Sequence, residues 1–308
     1  MARARPLASS QWIWFLAALG THTGWGIGPV LARYVQVVVG IPSLSFLVAV
    51  SLPLFVLLVA TGFQQGRRFW VRSPFLWFLA GLHFCRVLAN MLGAKYTEAT
   101  NVQLLALAVP FLVVALNRIL LKESTPRYTK RAVVLSALGG LLVLGDDLRL
   151  AGSSGTELIG IAFAMLASLL FATYLIAVRK GALSDISPGR MLVFQGGAML
   201  VPSLILSLAF AEDWSVWTRM PVAGWIAVVV FTLVVPISTN LLNLSAVSRI
   251  GAPAVSSMMP WRLVVTLAVG GIVLGERLVG PWQVSGALLV LCTVTWYLWM
   301  RRVGEVRT

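Results

Sequence analysis

Ten predominantly hydrophobic runs follow one another along the chain, separated by short polar connections. A helix needs about twenty apolar residues to cross the roughly 30 Å hydrocarbon core of a bilayer, and the runs are close to that length. Connections this short predict that successive helices are antiparallel neighbours. The pattern therefore predicts ten transmembrane helices, at 12–34, 41–62, 73–92, 99–121, 130–145, 156–178, 190–211, 222–242, 252–274 and 281–300.

The composition agrees with this pattern. The chain is 59% hydrophobic and only 11% charged, whereas charged residues make up about a quarter of an ordinary soluble domain. Ten spans occupy most of the 308 residues and leave little sequence for a soluble catalytic domain. We therefore predict an all-α integral membrane protein that is not an enzyme.

The positive charge is distributed to one side of the predicted helices. With the N-terminus in the cytoplasm, 17 of the 24 Lys and Arg residues fall on the cytoplasmic side. The five on the opposite side are Arg33, Lys95, Arg149, Arg219 and Arg277. The positive-inside rule then predicts that both termini are cytoplasmic. It also explains the net charge of +14 without a nucleic-acid partner.

Two segments half a chain apart resemble each other. One contains Pro110 and then Leu-Leu-Lys-Glu ending at Glu123, and the other contains Pro260 and then Leu-Gly-Glu ending at Glu276. Five predicted spans separate the two glutamates, and an odd number places the copies in opposite orientations. Inverted repeats of this kind are typical of alternating-access transporters. The predicted repeats are residues 1–150 and 151–308.

The two copies share further motif positions. Ala94-Lys95-Tyr96-Thr97 precedes Pro110, and Arg249-Ile250-Gly251-Ala252 precedes Pro260. Together with Trp25-Gly26 in the first span, these motifs resemble the EamA branch of the drug/metabolite transporter superfamily over nearly the whole chain. The resemblance implies a bacterial inner-membrane protein with two inverted five-helix repeats around a central cavity. It also implies transport of small metabolites, often the export of amino acids. No nucleotide-binding or metal-ligand set appears in the sequence, so no cofactor is expected.

Ionisable residues deep in predicted spans are the first candidates for function, since burying charge in a membrane is costly. Four qualify: His22, His83, Arg86 and Arg262. No Asp or Glu lies deep in a predicted span. A cavity whose fixed charges are all positive favours a substrate that bears a carboxylate or another anionic group over a cationic drug.

The third predicted span carries a polar stripe. His83, Arg86 and Asn90 are spaced i, i+3, i+7, which puts them on one helix face. This face is predicted to line the cavity, with Arg86 offering a forked pair of donors to a carboxylate. In the alternative, Arg86 satisfies backbone carbonyls at a broken helix or extends its charged group toward the interface.

The ninth predicted span places Arg262 two residues after Pro260. Proline kinks a helix and frees a carbonyl one turn earlier, here that of Ser256. With Ser256, Ser257 and Trp261 nearby, the segment is typical of a midplane binding site. In the alternative, Arg262 neutralises the freed carbonyls and is structural.

The first predicted span contributes His22 and Trp25. His22, like His83, is a candidate proton carrier for coupled exchange because histidine titrates near neutral pH; a packing role is the alternative. Trp25 and Trp261 are the deepest of the tryptophans and could form an apolar wall of the site or simply pack. Gln103 and Asn240 are candidates for the mouth of the cavity or for contacts between helices.

These observations predict a secondary transporter that exports amino acids or related small carboxylated metabolites by alternating access. The alternative is an importer or exchanger of organic anions with the same fold. The expected partners are a small carboxylate-bearing substrate and the lipid bilayer, and a homodimer is left open. No metal-ligand set is evident, and the two cysteines, Cys85 and Cys292, are expected to be buried packing residues.

Overall fold

The fold is known from a computed structural model, which describes residues 10–65, 74–121, 128–150, 155–181, 188–250, 258–276 and 280–306. Glu123, Ser256 and Ser257 lie outside these residues, as do both extreme termini. Every regular element in the described part is helical. The α-helices are α1 (Ser10–Arg33), α2 (Ser43–Gln65), α3 (Pro74–Tyr96), α4 (Ala99–Ala106), α5 (Val109–Leu121), α6 (Thr129–Leu150), α7 (Gly155–Gly181), α8 (Pro188–Ala198), α9 (Leu200–Ala209), α10 (Ser215–Arg219), α11 (Val222–Thr232), α12 (Asn240–Ile250), α13 (Trp261–Val273) and α14 (Pro281–Val306). Two π-helices, π1 (Tyr34–Val38) and π2 (Leu233–Thr239), extend α1 and join α11 to α12.

Within the described residues, five helical segments are long and apolar enough to cross a membrane. They are Ser43–Ala60, Pro74–Tyr96, Gly155–Ala177, Leu192–Ala209 and Val222–Asn243. Shorter apolar helices occupy Ala99–Val113, Arg131–Leu142 and Trp261–Val273. The protein is therefore a multi-pass helical membrane protein, as predicted, and the total of ten spans stays a prediction.

Several predicted spans are interrupted near prolines. The fourth predicted span divides between α4 and α5, and Pro110 occupies the first turn of α5, where a missing N–H breaks no helical hydrogen bond. Pro260 likewise stands directly before α13. Pro236 lies inside π2, and the side-chain amide of Asn240 donates to its carbonyl at 2.8 Å. Proline therefore sets where these spans bend.

Many contacts between helices occur twice: a first-half helix packs on a second-half helix, and the equivalent helices pack on each other with the halves interchanged. α3 packs on α7, and α1 packs on α12; α1 packs on α13, and α7 packs on both α4 and α5. The remaining first-half helices pack on the helix at the equivalent place in the second half: α2 on α8 and α9, α4 on α13, and α6 on α14. This pairing is the signature of a two-repeat architecture.

Equivalent helices of the two halves run in opposite directions. α1 ends at Arg33, whose guanidinium donates to the carbonyl of Thr97. α7 begins beside the same residue, as Glu157 in its first turn accepts a hydrogen bond from the Thr97 hydroxyl. α2 begins where α9 ends, since Glu212 accepts the backbone N–H of Ser45 at 2.7 Å. We call this end of the bundle the Arg33 end.

The two cysteines do not pack in the interior. Cys85 and Cys292 are both free and exposed on the protein surface, so the expectation that they are buried is wrong. In a helix that faces lipid, an apolar position need not be a buried one, because the bilayer is as apolar as the protein interior. Hydrophobic character therefore carries little information about burial in these spans.

Candidate functional site

A central cavity lies between the two halves, near the midpoints of several helices. The space between its walls, including the part that is open to solvent, amounts to about 1100 Å³. Its walls come from α1 to α5, α7, α8, π2 and α11 to α13. The larger polar side chains that line it are His83, Arg86, Asn90, Gln103, Asn240 and Arg262.

Arg262 is held against α1. Its side chain is almost fully buried, its Nε donates to Nδ1 of His22 at 2.9 Å, and its Cζ lies 4.2 Å from the centre of the Trp25 ring. Gly26 makes this approach feasible, because a Cβ there would lie only 2.7 Å from the Arg262 carbonyl oxygen. The Thr266 hydroxyl donates to the Gly26 carbonyl at 2.7 Å and fixes the same contact.

Arg86 has an equivalent environment on the other side of the cavity. Its Nη2 lies 3.2 Å from Nδ1 of His83, one turn earlier on α3. Its Cζ lies over two rings of α7, 4.8 Å from the centre of Phe171 and 5.6 Å from that of Tyr174. The Tyr174 hydroxyl donates to the Gln195 side chain at 2.8 Å, which fixes the second ring.

Both histidines accept hydrogen bonds from arginines. A guanidinium carries only donors, so Nδ1 of His22 and of His83 must be the proton-free nitrogen in these contacts. The ring proton is then on Nε2 in each case. A second proton on either ring would remove the acceptor and place a positive charge beside the arginine.

An aromatic contact connects the two arginine environments. Trp25 and Phe171 meet edge to face with 6.4 Å between ring centres. Arg262, Trp25, Phe171 and Arg86 therefore form one continuous series of contacts from α13 through α1 and α7 to α3. Cation–π contacts are worth from about 0.5 to about 2 kcal/mol each, more when water is excluded.

Two buried donors in the cavity wall have no hydrogen-bond partner in the described part of the chain: Nε of Arg86 and Nε2 of Gln103. A buried donor without an acceptor costs about 1–3 kcal/mol. No carboxylate belongs to the described residues that line the cavity. The site is therefore rich in donors and positive charge and lacks an internal counter-charge.

The structure brings together most of the residues singled out by the sequence. Trp25, His83, Arg86, Asn90 and Arg262 line the cavity.

The two remaining candidates lie outside that wall. His22 is behind Arg262 as its hydrogen-bond partner. Trp261 is not in the cavity wall; it is 39% exposed, and its indole N–H donates to the Thr23 hydroxyl at 3.0 Å. The carbonyl of Ser256 lies outside the described residues, so the structural alternative for Arg262 stays a prediction.

Sequence reasoning missed the aromatic residues of α7. Phe171 and Tyr174 stack on each other with an interplanar angle of 20° and support Arg86. Their spacing of three residues on one helix face was the available signal, but it is also typical of ordinary packing in an apolar helix.

An ion pair joins the two halves of the chain at the Arg33 end. Nε of Arg33 lies 3.0 Å from Oε1 of Glu276, whose side chain is 7% exposed. The same guanidinium donates to the carbonyls of Ala94 at 3.2 Å and of Thr97, at the end of α3. One arginine thus connects α1, α3 and the segment after α13.

The Leu-Gly-Glu motif explains how Glu276 reaches this position. Gly275 has φ +71°, a left-handed conformation that favours glycine, and the N–H groups of Leu274 and Glu276 both bond to the carbonyl of Gly270. The turn directs the Glu276 carboxylate to the start of α4. There it accepts the backbone N–H of Ala99 at 3.1 Å and that of Thr100 at 3.3 Å.

Glu212 performs the same task for α2. Its carboxylate accepts the N–H groups of Leu44 at 3.0 Å and Ser45 at 2.7 Å, and it too comes from the second half of the chain. A carboxylate stabilises a helix N-terminus by hydrogen bonds and by the helix dipole. The neighbouring Asp213 is exposed, and hydrogen bonds from the Ser215 hydroxyl and N–H lower the pKa of its carboxyl.

Comparison with known proteins identifies the family of this fold. The model of the EamA-like transporter family matches the chain in two segments, residues 12–145 and 158–299. The chain belongs to this family. It is therefore a membrane transporter, and the resemblance found in the sequence is confirmed.

A solved crystal structure supports the same fold. It superposes on the EamA-like chain with a TM-score of 0.60 at 16% sequence identity, covering 95% of this chain and 99% of that one. At this identity the likeness concerns the fold alone. None of the proteins with curated descriptions matches the chain.

Proposed function

We propose that the protein is a secondary transporter that carries small carboxylate-bearing metabolites, amino acids or their relatives, by alternating access. In this proposal it acts in export across a bacterial inner membrane, with both termini in the cytoplasm. The observation that carries the proposal is the pair of arginines, Arg86 and Arg262, that line a central cavity without a carboxylate in its described wall.

The position of each arginine supports a role in substrate binding. Arg86 belongs to the first half of the chain and Arg262 to the second, so a substrate bound to both would connect the two halves. Each guanidinium is already oriented by a histidine and an aromatic ring and does not need to reorganise on binding. Carboxylates match the forked donors of arginine.

The ion pair between the two halves at the Arg33 end supports alternating access. Charged groups of both halves meet there, whereas the wide cavity lies between the halves deeper in the bundle. Alternating access requires that the Arg33–Glu276 contact opens when the opposite end closes.

The proposal is tested by binding followed by transport. Purified protein in detergent is screened by thermal shift against amino acids, other carboxylates and cationic drugs, and the best ligands are used in counterflow assays with proteoliposomes. We expect stabilisation by carboxylates and loss of counterflow in Arg86→Gln and Arg262→Gln. Stabilisation by cationic drugs alone would overturn the proposal.

An organic-anion importer or exchanger would use the same arginines. Transport assays in oriented vesicles distinguish it from an exporter. Net efflux without a counter-substrate supports export, whereas a strict requirement for a counter-substrate supports exchange. A C-terminal reporter assayed on each side of the membrane tests the proposed orientation.

A further inference from the structure

The charge balance of the cavity points to a specific class of carboxylate. Arg86 and Arg262 are both positively charged, since guanidinium does not lose its proton under ordinary conditions. The other large polar side chains of the described wall, such as Asn90, Gln103 and Asn240, are neutral. Two uncompensated positive charges in a membrane interior are costly, so the bound substrate has to supply the counter-charge.

The two arginines form separate binding positions. Arg262 is oriented by His22 and Trp25, whereas Arg86 is oriented by His83 and by the rings of α7. No side chain contacts both guanidinium groups in the described hydrogen bonds and ring contacts. Each position therefore presents its own positive group to the cavity.

Both positions retain free hydrogen-bond donors. At Arg86, the Nε donor has no partner, and the Gln103 amide adds a second buried donor without an acceptor. At Arg262, the single described hydrogen bond uses Nε and leaves the terminal nitrogens of the fork for a ligand. Anionic oxygens at both positions would satisfy these donors.

The cavity offers little to a positively charged ligand group. A primary ammonium needs a carboxylate, several oxygen acceptors or an open aromatic face. The described wall has no carboxylate, and its neutral side-chain acceptors include the amide oxygens of Asn90, Gln103 and Asn240. The hydroxyl groups of Ser51 and Ser168 donate to carbonyls of the protein, and guanidinium groups lie over the rings of Trp25 and Phe171. The ammonium of a zwitterion would thus find no counter-charge in the described wall and would add a third positive group beside Arg86 and Arg262.

We infer that the preferred substrate is a small dianion without an ammonium group, with one anionic group on Arg86 and the other on Arg262. This inference rests on the proposed function and narrows its substrate class from small carboxylates in general to dianions, which excludes zwitterionic amino acids as the preferred substrates. Two carboxylates or a carboxylate and a phosphonate satisfy it equally. Because its two ends contact different halves of the chain, such a dianion would stabilise the arrangement in which both halves close around it.

The test compares dianions with matched monoanions on the full-length protein in lipid nanodiscs at neutral pH. The dicarboxylates are malonate, succinate, glutarate and adipate, and each is paired with its monomethyl ester, which has nearly the same shape and one charge fewer. Phosphonoacetate and 3-phosphonopropionate test the second anionic group, and alanine and phenylalanine serve as zwitterions. Dissociation constants are measured by titration calorimetry.

We expect at least one dianion to bind tenfold or more tightly than its monoester and than either zwitterion. In Arg262→Gln and Arg86→Gln this preference should fall to within about twofold. If a single variant is poorly folded, Arg262→Lys and Arg86→Lys keep the charge and test the same position; they should retain most of the preference.

The outcomes separate this inference from the proposed function. Equal or tighter binding of the monoesters or zwitterions would overturn the inference and leave a carboxylate transporter. Absence of binding by every carboxylate and phosphonate would overturn both. A preference for dianions that survives both glutamine variants would also overturn the inference, because it would place the second anionic group elsewhere.

Discussion

Arg33 and Glu276 join the end of α1 to the segment after α13 through an ion pair with 3.0 Å between Nε and Oε1. Glu276 also caps α4, so one carboxylate connects three elements from both halves. An interaction of this kind is expected to resist opening of the Arg33 end.

Replacing Glu276 tests this role. In Glu276→Gln the ion pair is lost and the cap on α4 is weakened, so we expect the Arg33 end to open more easily, by about 1–3 kcal/mol. Hydrogen exchange measured by mass spectrometry should be faster in the peptide that contains Ala99 and Thr100. Asp213→Asn is the matched control at the same end, because its carboxyl is exposed and bonds only locally. Equal acceleration in both variants would contradict the role of Glu276.

Replacing His22 tests how Arg262 is oriented. Gln offers an oxygen acceptor in place of Nδ1, whereas Leu offers none. We expect His22→Gln to bind the best carboxylate of the panel nearly as the natural protein does, and His22→Leu to bind it about tenfold less tightly, since loss of a buried partner costs about 1–3 kcal/mol. Titration calorimetry measures the difference. Equal affinities in the two variants would show that Arg262 does not depend on this acceptor.

The same substitutions examine proton coupling. Exchange of a proton through His22 or His83 requires the histidine to titrate, and glutamine does not. If the double variant His22→Gln/His83→Gln transports with an unchanged pH profile, neither histidine is the proton carrier. We expect the profile to be retained, because both rings are engaged as acceptors for arginines.

The aromatic supports are tested by removing one ring at a time. Trp25→Leu removes the ring over Arg262, and Phe171→Leu removes the nearer ring over Arg86. We expect each to weaken binding by about twofold to tenfold, which corresponds to about 0.5–1.4 kcal/mol and lies within the range of a cation–π contact. Trp261→Leu is the control, since Trp261 lies outside the cavity wall, and its affinity should be unchanged. A loss of affinity in Trp261→Leu as large as in the other two variants would show that Trp261 does contribute to the binding site.

The close approach of α1 and α13 is tested at Gly26. A Cβ there would lie 2.7 Å from the Arg262 carbonyl oxygen, whereas at Gly81 it would meet nothing within 4 Å. We expect Gly26→Ala to lower the melting temperature and to weaken carboxylate binding, with a cost to stability of about 1–3 kcal/mol. Gly81→Ala should leave both unchanged. If Gly26→Ala changed neither the melting temperature nor carboxylate binding, α1 and α13 would be able to separate at Gly26 without disturbing Arg262.

Much of the architecture could be predicted because few physical rules govern membrane helices. Hydrophobic length identified the helices, and the odd number of spans between Glu123 and Glu276 predicted the inversion. The same count placed Arg33 and Glu276 on one side of the membrane. That they form an ion pair could not be predicted, because the count does not show which helices are neighbours.

The interruptions of the helices were harder to predict. α8 and α9 divide at Met199, although the sequence there is uniformly apolar. Pro202 leaves the carbonyl of Ala198 without its helical donor, which explains the division after the fact. Pro236 also lacks the N–H that a helix would use, but there the chain forms a π-helix and does not divide into two helices. Local sequence does not determine which of these solutions is used, since both depend on the neighbouring helices.

The charged residues of the site and Trp25 were predictable, and the aromatic residues of α7 were not. Arg86 and Arg262 are conspicuous in apolar helices because charge is costly there. Phe171 and Tyr174 are as favourable facing lipid as facing a cavity, so their composition carries no signal. Only the packing of α3 on α7 shows that their rings lie over Arg86.

The carboxylate caps also impose an order on the assembly of the protein. The N–H groups at the start of α2 and α4 find their acceptors only in Glu212 and Glu276. These carboxylates follow Leu44 and Ala99 by 168 and 177 positions in the chain. During synthesis the first half therefore enters the membrane with these helix ends incomplete. It reaches its final form only when the second half has been inserted beside it, so the first half is not a finished folding unit alone.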